Sequence, residues 1–253
     1  MFQFDTIKDK FQYVILEGKN TDCIEANYYY KIFDYWHQQW SQLYKSLDIK
    51  KELSEEEFYN FSEVSALFFE DRVVGLVFYD CYNLTHKLHQ KSQYLKQFPV
   101  EKIVHLLPSS KVLSLSNLMV DLHFRPRMHL SEIMIIFSIL RMKTSIFENA
   151  IFYTRNRKRV NDMAYKLGGI PLLQNILVNN ENSDVAIFNK NLTNKFYESE
   201  YFEFAKYLWM HKIHKINSLI GYNELTESNF NKGEHNEQNS NWKPSLQHNV
   251  DGN

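Results

Sequence analysis

The chain has 253 residues, 44% hydrophobic and 23% charged, with 29 Lys and Arg against 30 Asp and Glu and a formal net charge of −1. That is the composition of an ordinary globular protein long enough for one large domain, and its balanced charge supplies no field to recruit nucleic acid. Two cysteines, Cys23 and Cys81, exclude a disulfide framework and a four-thiolate metal site.

The opening MFQFDTIKDK carries acidic residues and no apolar run, so it does not read as a secretory leader. A reducing compartment is expected, most simply the cytoplasm. Phe11–Glu17 is a β-prone run closed by Gly18. From Asp22 to Leu47, apolar residues at Ile24, Tyr28, Ile32, Tyr35/Trp36, Trp40, Leu43 and Leu47 predict a helix. An aromatic stripe of this spacing is usually core. Glu63–Glu70 and Arg72–Asp80 read as a hairpin turning at Glu70-Asp71, apolar on both faces and therefore central in a sheet. A polar stretch with helical segments runs from Leu84 to Leu107. It contains His86 and His89, a spacing that admits a metal pair but lacks further ligands nearby.

Lys111–Asp121 predicts a strand, Phe124–Met128 a turn around Pro126, and Ser131–Lys143 a helix apolar almost all round, hence buried. Its apolar patch, Ile133 to Leu140, is interrupted by Ser138, far short of the ~20 residues of a membrane span. Ala150–Arg155 is a strand, Lys158–Leu167 a helix, and Gly168-Gly169 its C-cap ahead of Pro171. Strands at Leu172–Val178 and Asp184–Asn189 follow. A last helix from Tyr201 to about Ile220 is amphipathic and basic, suited to a membrane surface or a partner groove, with docking onto its own domain the default. The segment 221–253 is polar and aperiodic and is expected to be a disordered tail whose deletion is tolerated. Domain 1–220 then reads as α/β (α+β): a mixed, mostly antiparallel central sheet of about six to seven strands with helices on both faces.

That order of elements resembles the GNAT superfamily of acyl-CoA N-acyltransferases, over about Phe11–Lys190. EVSALFFEDRVVGLVFYD is similar to the family's second and third strands, with Gly75 at a familiar place. LSNLMVDLHFRPRM followed by LSEIMIIFSIL is similar to its fourth strand, phosphate-binding turn and long helix, and AIFYTRNRKRVNDMAYKLGGIPL to its fifth strand and following helix. The aromatic first helix is closer to the branch that makes N-acyl amino acids and acyl-homoserine lactones.

The resemblance implies an acyl group carried on acetyl-CoA or a longer acyl-CoA, or on acyl-carrier protein, and a small-molecule amine as acceptor, with no metal and no nucleic acid. It places the pantetheine arm along the backbone of Met119 and Val120, and the phosphates at Arg125, Arg127, Met128, His129, Leu130 and a helix start capped by Ser131, with Asn156 nearby. The family's loop has small residues where Met128 and Leu130 stand, which removes the close approach glycines allow. Its general base on the fourth strand is missing. Asp121 and His123 at that strand's end are the nearest substitutes, histidine having a suitable unperturbed pKa. Tyr165 stands one position from the family's acid, rotated about 100° around the helix, where packing is the better explanation. Two readings follow: an N-acyltransferase, or a non-catalytic binding module on the same fold that has lost the cofactor loop.

Overall fold

The hairpin at Glu70-Asp71 forms: Glu63–Phe69 (β2) and Arg72–Asn83 (β3) pair antiparallel, with Glu70 in the left-handed region at φ 55°. This is seen in a computed structural model that describes residues 7–18, 26–46, 53–121, 123–124, 129–156, 159–178, 181–214 and 219–225. Around the hairpin stand Phe11–Glu17 (β1), Lys111–Val120 (β4), Asn149–Arg155 (β5), Ile170–Val178 (β6), Glu181–Asn189 (β7) and the two-residue Ile213–His214 (β8). Among the described residues they form one eight-stranded sheet in the order β6-β7-β5-β4-β3-β2-β1-β8. Only β4–β5 and β1–β8 pair parallel, so the sheet is mixed and mostly antiparallel, as expected.

Helices cover both faces. On one face Leu130–Thr144 (α5), Val160–Lys166 (α6) and Phe202–Met210 (α7) pack on Tyr13, Val77, Leu115, Phe152 and Phe188. On the other face Ala26–Ser46 (α1) and Glu55–Tyr59 (α2) bury Ile32, Trp36 and Phe58 against β1–β3. Beside them the short helices Lys87–Gln90 (α3) and Val100–Val104 (α4) and the turn between them bury Leu95, Phe98 and Ile103 against β4, β5 and β7. Alternation along each strand supplies both layers, because successive side chains point to opposite faces. The sheet's centre is crowded: a Cβ placed on Gly75 would stand 3.0 Å from Cγ and Sδ of Met134 on α5. Gly168, at φ 97°, stops α6 where the sequence places the cap.

Two expectations change. The last helix ends at Met210 rather than near Ile220. His211 turns its ring onto the Tyr207 carbonyl at 2.8 Å, and the Lys212 ammonium reaches the Trp209 carbonyl at 3.0 Å. Basic groups on the last free carbonyls are a helix stop, and the chain then extends as β8 beside Val14 and Ile15. The apolar face of α7 (Phe204, Ala205, Leu208, Trp209) is buried in its own domain, so it offers no such face to a membrane. Among the described residues no helix is long and apolar enough to cross one.

The second change concerns the boundary at Gly221. Its carbonyl accepts from Arg141 Nη2 at 2.9 Å, and Asn223 N–H donates to the Thr144 carbonyl. Tyr222 and Leu225 pack against the core. The folded unit therefore includes 221–225, while residues 226–253 lie outside the described ones. Truncation after Leu225 should leave the thermal midpoint unchanged, and truncation before Gly221 should lower it by several degrees; a calorimetric scan of the two shortened chains reversing that order would refute this boundary.

Candidate active site

Strands β4 and β5 share only two rungs, Leu113–Ala150 and Ser114–Ile151. The reason lies on the opposite edge of β4. Its register with β3 shifts between Leu76 and Phe78, and Asn117 takes φ 54° there. An extra residue on one strand bends it and increases its twist, so β4 turns away from β5 and the sheet opens. The β5-facing backbone from Leu115 through Met119 and Val120 borders this split. Tyr94, in the turn between α3 and α4, spans the split. Its hydroxyl is 3.2 Å from the Leu115 carbonyl and 3.3 Å from the Ile151 carbonyl, so its single proton is shared between the strands. Burial pushes that phenol well above the ordinary tyrosine range. It stays a proton donor at neutral pH.

Over the split, on the α1 face, lies a cavity of about 680 Å³. Trp36, Trp40 and Tyr44 of α1 line it, with Tyr82, Tyr94 and Tyr153 opposite. Asp80, also in the lining, is held from behind: Ser62 Oγ donates to its Oδ1 at 2.6 Å and Cys81 N–H at 2.9 Å. In the ladder Asp80 stands opposite Ser114, the last residue of β4 with a partner on β5. The hydroxyls of Ser114 and Ser116 are buried without a hydrogen-bond partner. Asp80 and Tyr94 are thus brought to one opening from 14 residues apart in sequence, and no local signal marks either as a site residue. Asp80 reads in sequence as a strand end and Tyr94 as part of a polar stretch. The aromatic stripe of α1 splits its role: Ile32 and Trp36 are core, while Trp36 and Trp40 also wall the cavity.

The residues named from sequence fall into three groups. Asp121 and His123 do meet, His123 Nδ1 lying 3.0 Å from Asp121 Oδ1, and Arg72 reaches the other oxygen at 3.5 Å. Neither lines the cavity. The His123 side chain is 89% exposed, which makes it a solvated partner of Asp121.

Asn156 and Tyr165 are drawn together by a residue sequence reasoning missed, Asp184 on β7. This buried carboxylate accepts from Tyr165 OH at 2.7 Å, Asn175 N–H at 2.9 Å, Asn156 Nδ2 at 3.0 Å and Asn161 Nδ2 at 3.1 Å. Tyr165 therefore directs its proton into Asp184, and burial together with that carboxylate raises its pKa. No local signal marks Asp184, because its donors come from β6, from the residue after β5 and from α6.

The third group is the phosphate turn. Arg125, Arg127 and Met128 lie outside the described residues. His129 is the N-cap of α5 in a left-handed conformation, φ 46°, and stacks on Tyr201. Ser131, expected as the cap, sits inside the first turn of α5, as does buried Leu130. Glu132 follows and accepts from Ser199 Oγ at 2.7 Å. The His86–His89 pair is engaged locally, His89 Nδ1 accepting from Asn83 N–H at 2.8 Å; no group of three potential metal ligands occurs among the described residues.

The structure is similar to a CoA-dependent acyl-homoserine lactone synthase, BjaI, solved with S-adenosylmethionine and isopentyl-CoA: TM-score 0.51, 14% identity, 88% of this chain and 99% of that one. The same synthase with methylthioadenosine gives a TM-score of 0.50 at 13% identity, with 88% and 99% covered. An N-acyl amino acid synthase from uncultured soil microbes, FeeM, is also similar, with a TM-score of 0.44 at 11% identity over 77% of this chain and 98% of that one. No family model matches the sequence, and no curated protein matches it. The chain has the GNAT fold, which it shares with that CoA-dependent synthase.

Proposed function

We propose that this protein transfers an acyl group from a thioester donor, acyl-CoA or acyl-carrier protein, to a small-molecule amine. The observation that carries the reading is the parting of β4 from β5 beneath a cavity, on a sheet with the fold of a CoA-dependent synthase. A thioester supplies an acyl carbon already activated toward attack. The β5-facing side of β4 at Met119 and Val120, past the last rung that β4 shares with β5, would lie along its arm. Arg125, Arg127 and the start of α5 at His129–Ser131 would meet phosphate oxygens, through charge and free N–H groups.

The acceptor approaches from the cavity. Asp80, a carboxylate of the cavity lining, takes the proton that an ammonium must lose before its nitrogen can attack. The nitrogen then bonds to the acyl carbon, the carbon–sulfur bond breaks, and the second proton shed by nitrogen reaches the departing thiolate through the Tyr94 hydroxyl, which gives one proton and regains one. Asp121, His123 and Tyr165 take no step in this scheme, because the first two lie off the cavity lining and the third is committed to Asp184. Asn156, held by the same carboxylate, belongs to the donor-binding face.

The test is isothermal titration of acetyl-CoA and a long-chain acyl-CoA. Charge-assisted bonds contribute about 1.5–3 kcal/mol each. Replacing Arg125 and Arg127 together by Ala is expected to weaken binding roughly 10²-fold, and added salt to weaken it in the wild type. Absence of heat with every acyl-CoA and with acyl-carrier protein would leave the non-catalytic module as the reading.

A further inference from the structure

We infer that the cavity above the β4–β5 split selects a cationic amine borne on an apolar or aromatic body that carries no carboxylate. The inference rests on the acyl-transfer reading for the identity of the ligand as acceptor, but its evidence is the lining itself. Ring-bearing side chains dominate the walls: Trp36, Trp40 and Tyr44 on one side, Tyr82 and Tyr153 on the other. Aromatic rings attract cations through their quadrupole, Trp most strongly, and more so where water is excluded.

The charges in the lining point the same way. Among the described residues of the lining, two carboxylates, Glu57 and Asp80, stand with one cation, Arg155. That cation is already engaged: Arg155 Nε lies 2.9 Å from Glu181 Oε2. An incoming carboxylate would have to compete with Glu181 for Arg155 while standing beside Glu57 and Asp80, and like charge at short range is how a site rejects the wrong ligand. An ammonium meets the opposite field. The indole N–H groups of Trp36 and Trp40 are buried without a partner, and a neutral hydroxyl or carbonyl oxygen on the ligand body satisfies them at no electrostatic cost.

Three probes of one shape separate the alternatives: phenethylamine, L-phenylalanine, which adds a carboxylate, and 2-phenylethanol, which removes the charge. Titrated calorimetrically into the full chain at neutral pH, phenethylamine is expected to bind at least tenfold more tightly than either of the others. Asp80→Asn, which keeps the shape and an oxygen for Ser62, is expected to weaken phenethylamine about tenfold and to leave phenylethanol unchanged. Glu57→Gln, away from the strand core, should weaken phenethylamine several-fold and serves if Asp80→Asn fails to fold. Phenylalanine binding as tightly as the amine would overturn the inference in favour of an amino-acid site. Equal binding of the alcohol would reduce the cavity to an apolar pocket, and unchanged affinity in both variants would remove the carboxylates from recognition. The outcomes are distinct from those of the donor titration. A protein that selects the ammonium but binds no thioester keeps this inference and loses acyl transfer, whereas one that binds acyl-CoA but treats the three probes alike does the reverse.

Discussion

Arg141→Met will lower the unfolding free energy by about 3–5 kcal/mol, because it strands a buried carboxylate. Arg141 on α5 and Glu63 on β2 are both 0% exposed and form a two-pronged pair, Nε to Oε2 at 2.7 Å and Nη2 to Oε1 at 2.7 Å. The same guanidinium also donates to the Gly221 carbonyl at 2.9 Å and to Thr144 Oγ1 at 3.4 Å. One side chain thus ties a helix, the sheet and the C-terminal segment. With arginine gone, Glu63 has lost its countercharge inside a core that cannot hydrate it, and the Gly221 carbonyl has lost a donor. Glu63→Gln should cost a comparable amount for the mirrored reason. The double variant Glu63→Leu/Arg141→Met should recover a large part of the loss, since apolar replacement of a whole buried pair is often neutral. Urea denaturation of the four proteins measures this; a loss below about 1 kcal/mol in the single variants would show that the pair is not carrying the charge balance of this core.

Asp184→Ala will cost about 3 kcal/mol or more and will make stability less dependent on acid. Hydrogen bonds to a charged group are worth about 1.5–3 kcal/mol each without being additive, and Asp184 accepts four. Burial alone would push its carboxyl up. The donors at Asn175 N–H, Tyr165, Asn161 and Asn156 outweigh it and hold the carboxyl below the ordinary aspartate range. A carboxyl whose pKa is lower folded than unfolded adds stability that is present above the unfolded value, near about 4, and fades as pH falls through the folded value. The gap between wild type and Asp184→Ala should therefore be widest near neutral pH and narrow toward pH 2. Paired urea titrations across that range test it, and a gap that widens on acidification would contradict the assignment. Tyr165→Phe removes one of the four donors and should reproduce a fraction of the effect.

The sequence by itself determined the elements and the two-layered character of the sheet. β2 and β3, apolar on both faces without alternation, mark central strands, because a strand covered on both sides needs apolar residues at successive positions. The helix 131–143, apolar almost all round, has to be buried, Gly168 has to end a helix, and Lys111–Asp121 followed by a turn and that helix already resembles one acyltransferase module. These are local consequences of backbone sterics and of periodicity, which a neighbouring stretch of chain contains in full. The end of the last helix was decided otherwise. Periodicity carries on through Ile213, Ile216 and Ile220, but β1 offers an open edge at Val14 and Ile15, and the chain leaves the helix to pair with it. The chemistry was decided the same way. Arg141 meets Glu63 across 78 positions, Tyr94 meets Ile151 across 57, and Tyr165 meets Asp184 across 19. None of these residues carries a neighbouring residue that marks its role. Burial and pairing assign it, because a carboxylate or phenol changes its behaviour with the charges, donors and solvent around it, and only the folded chain puts those in place.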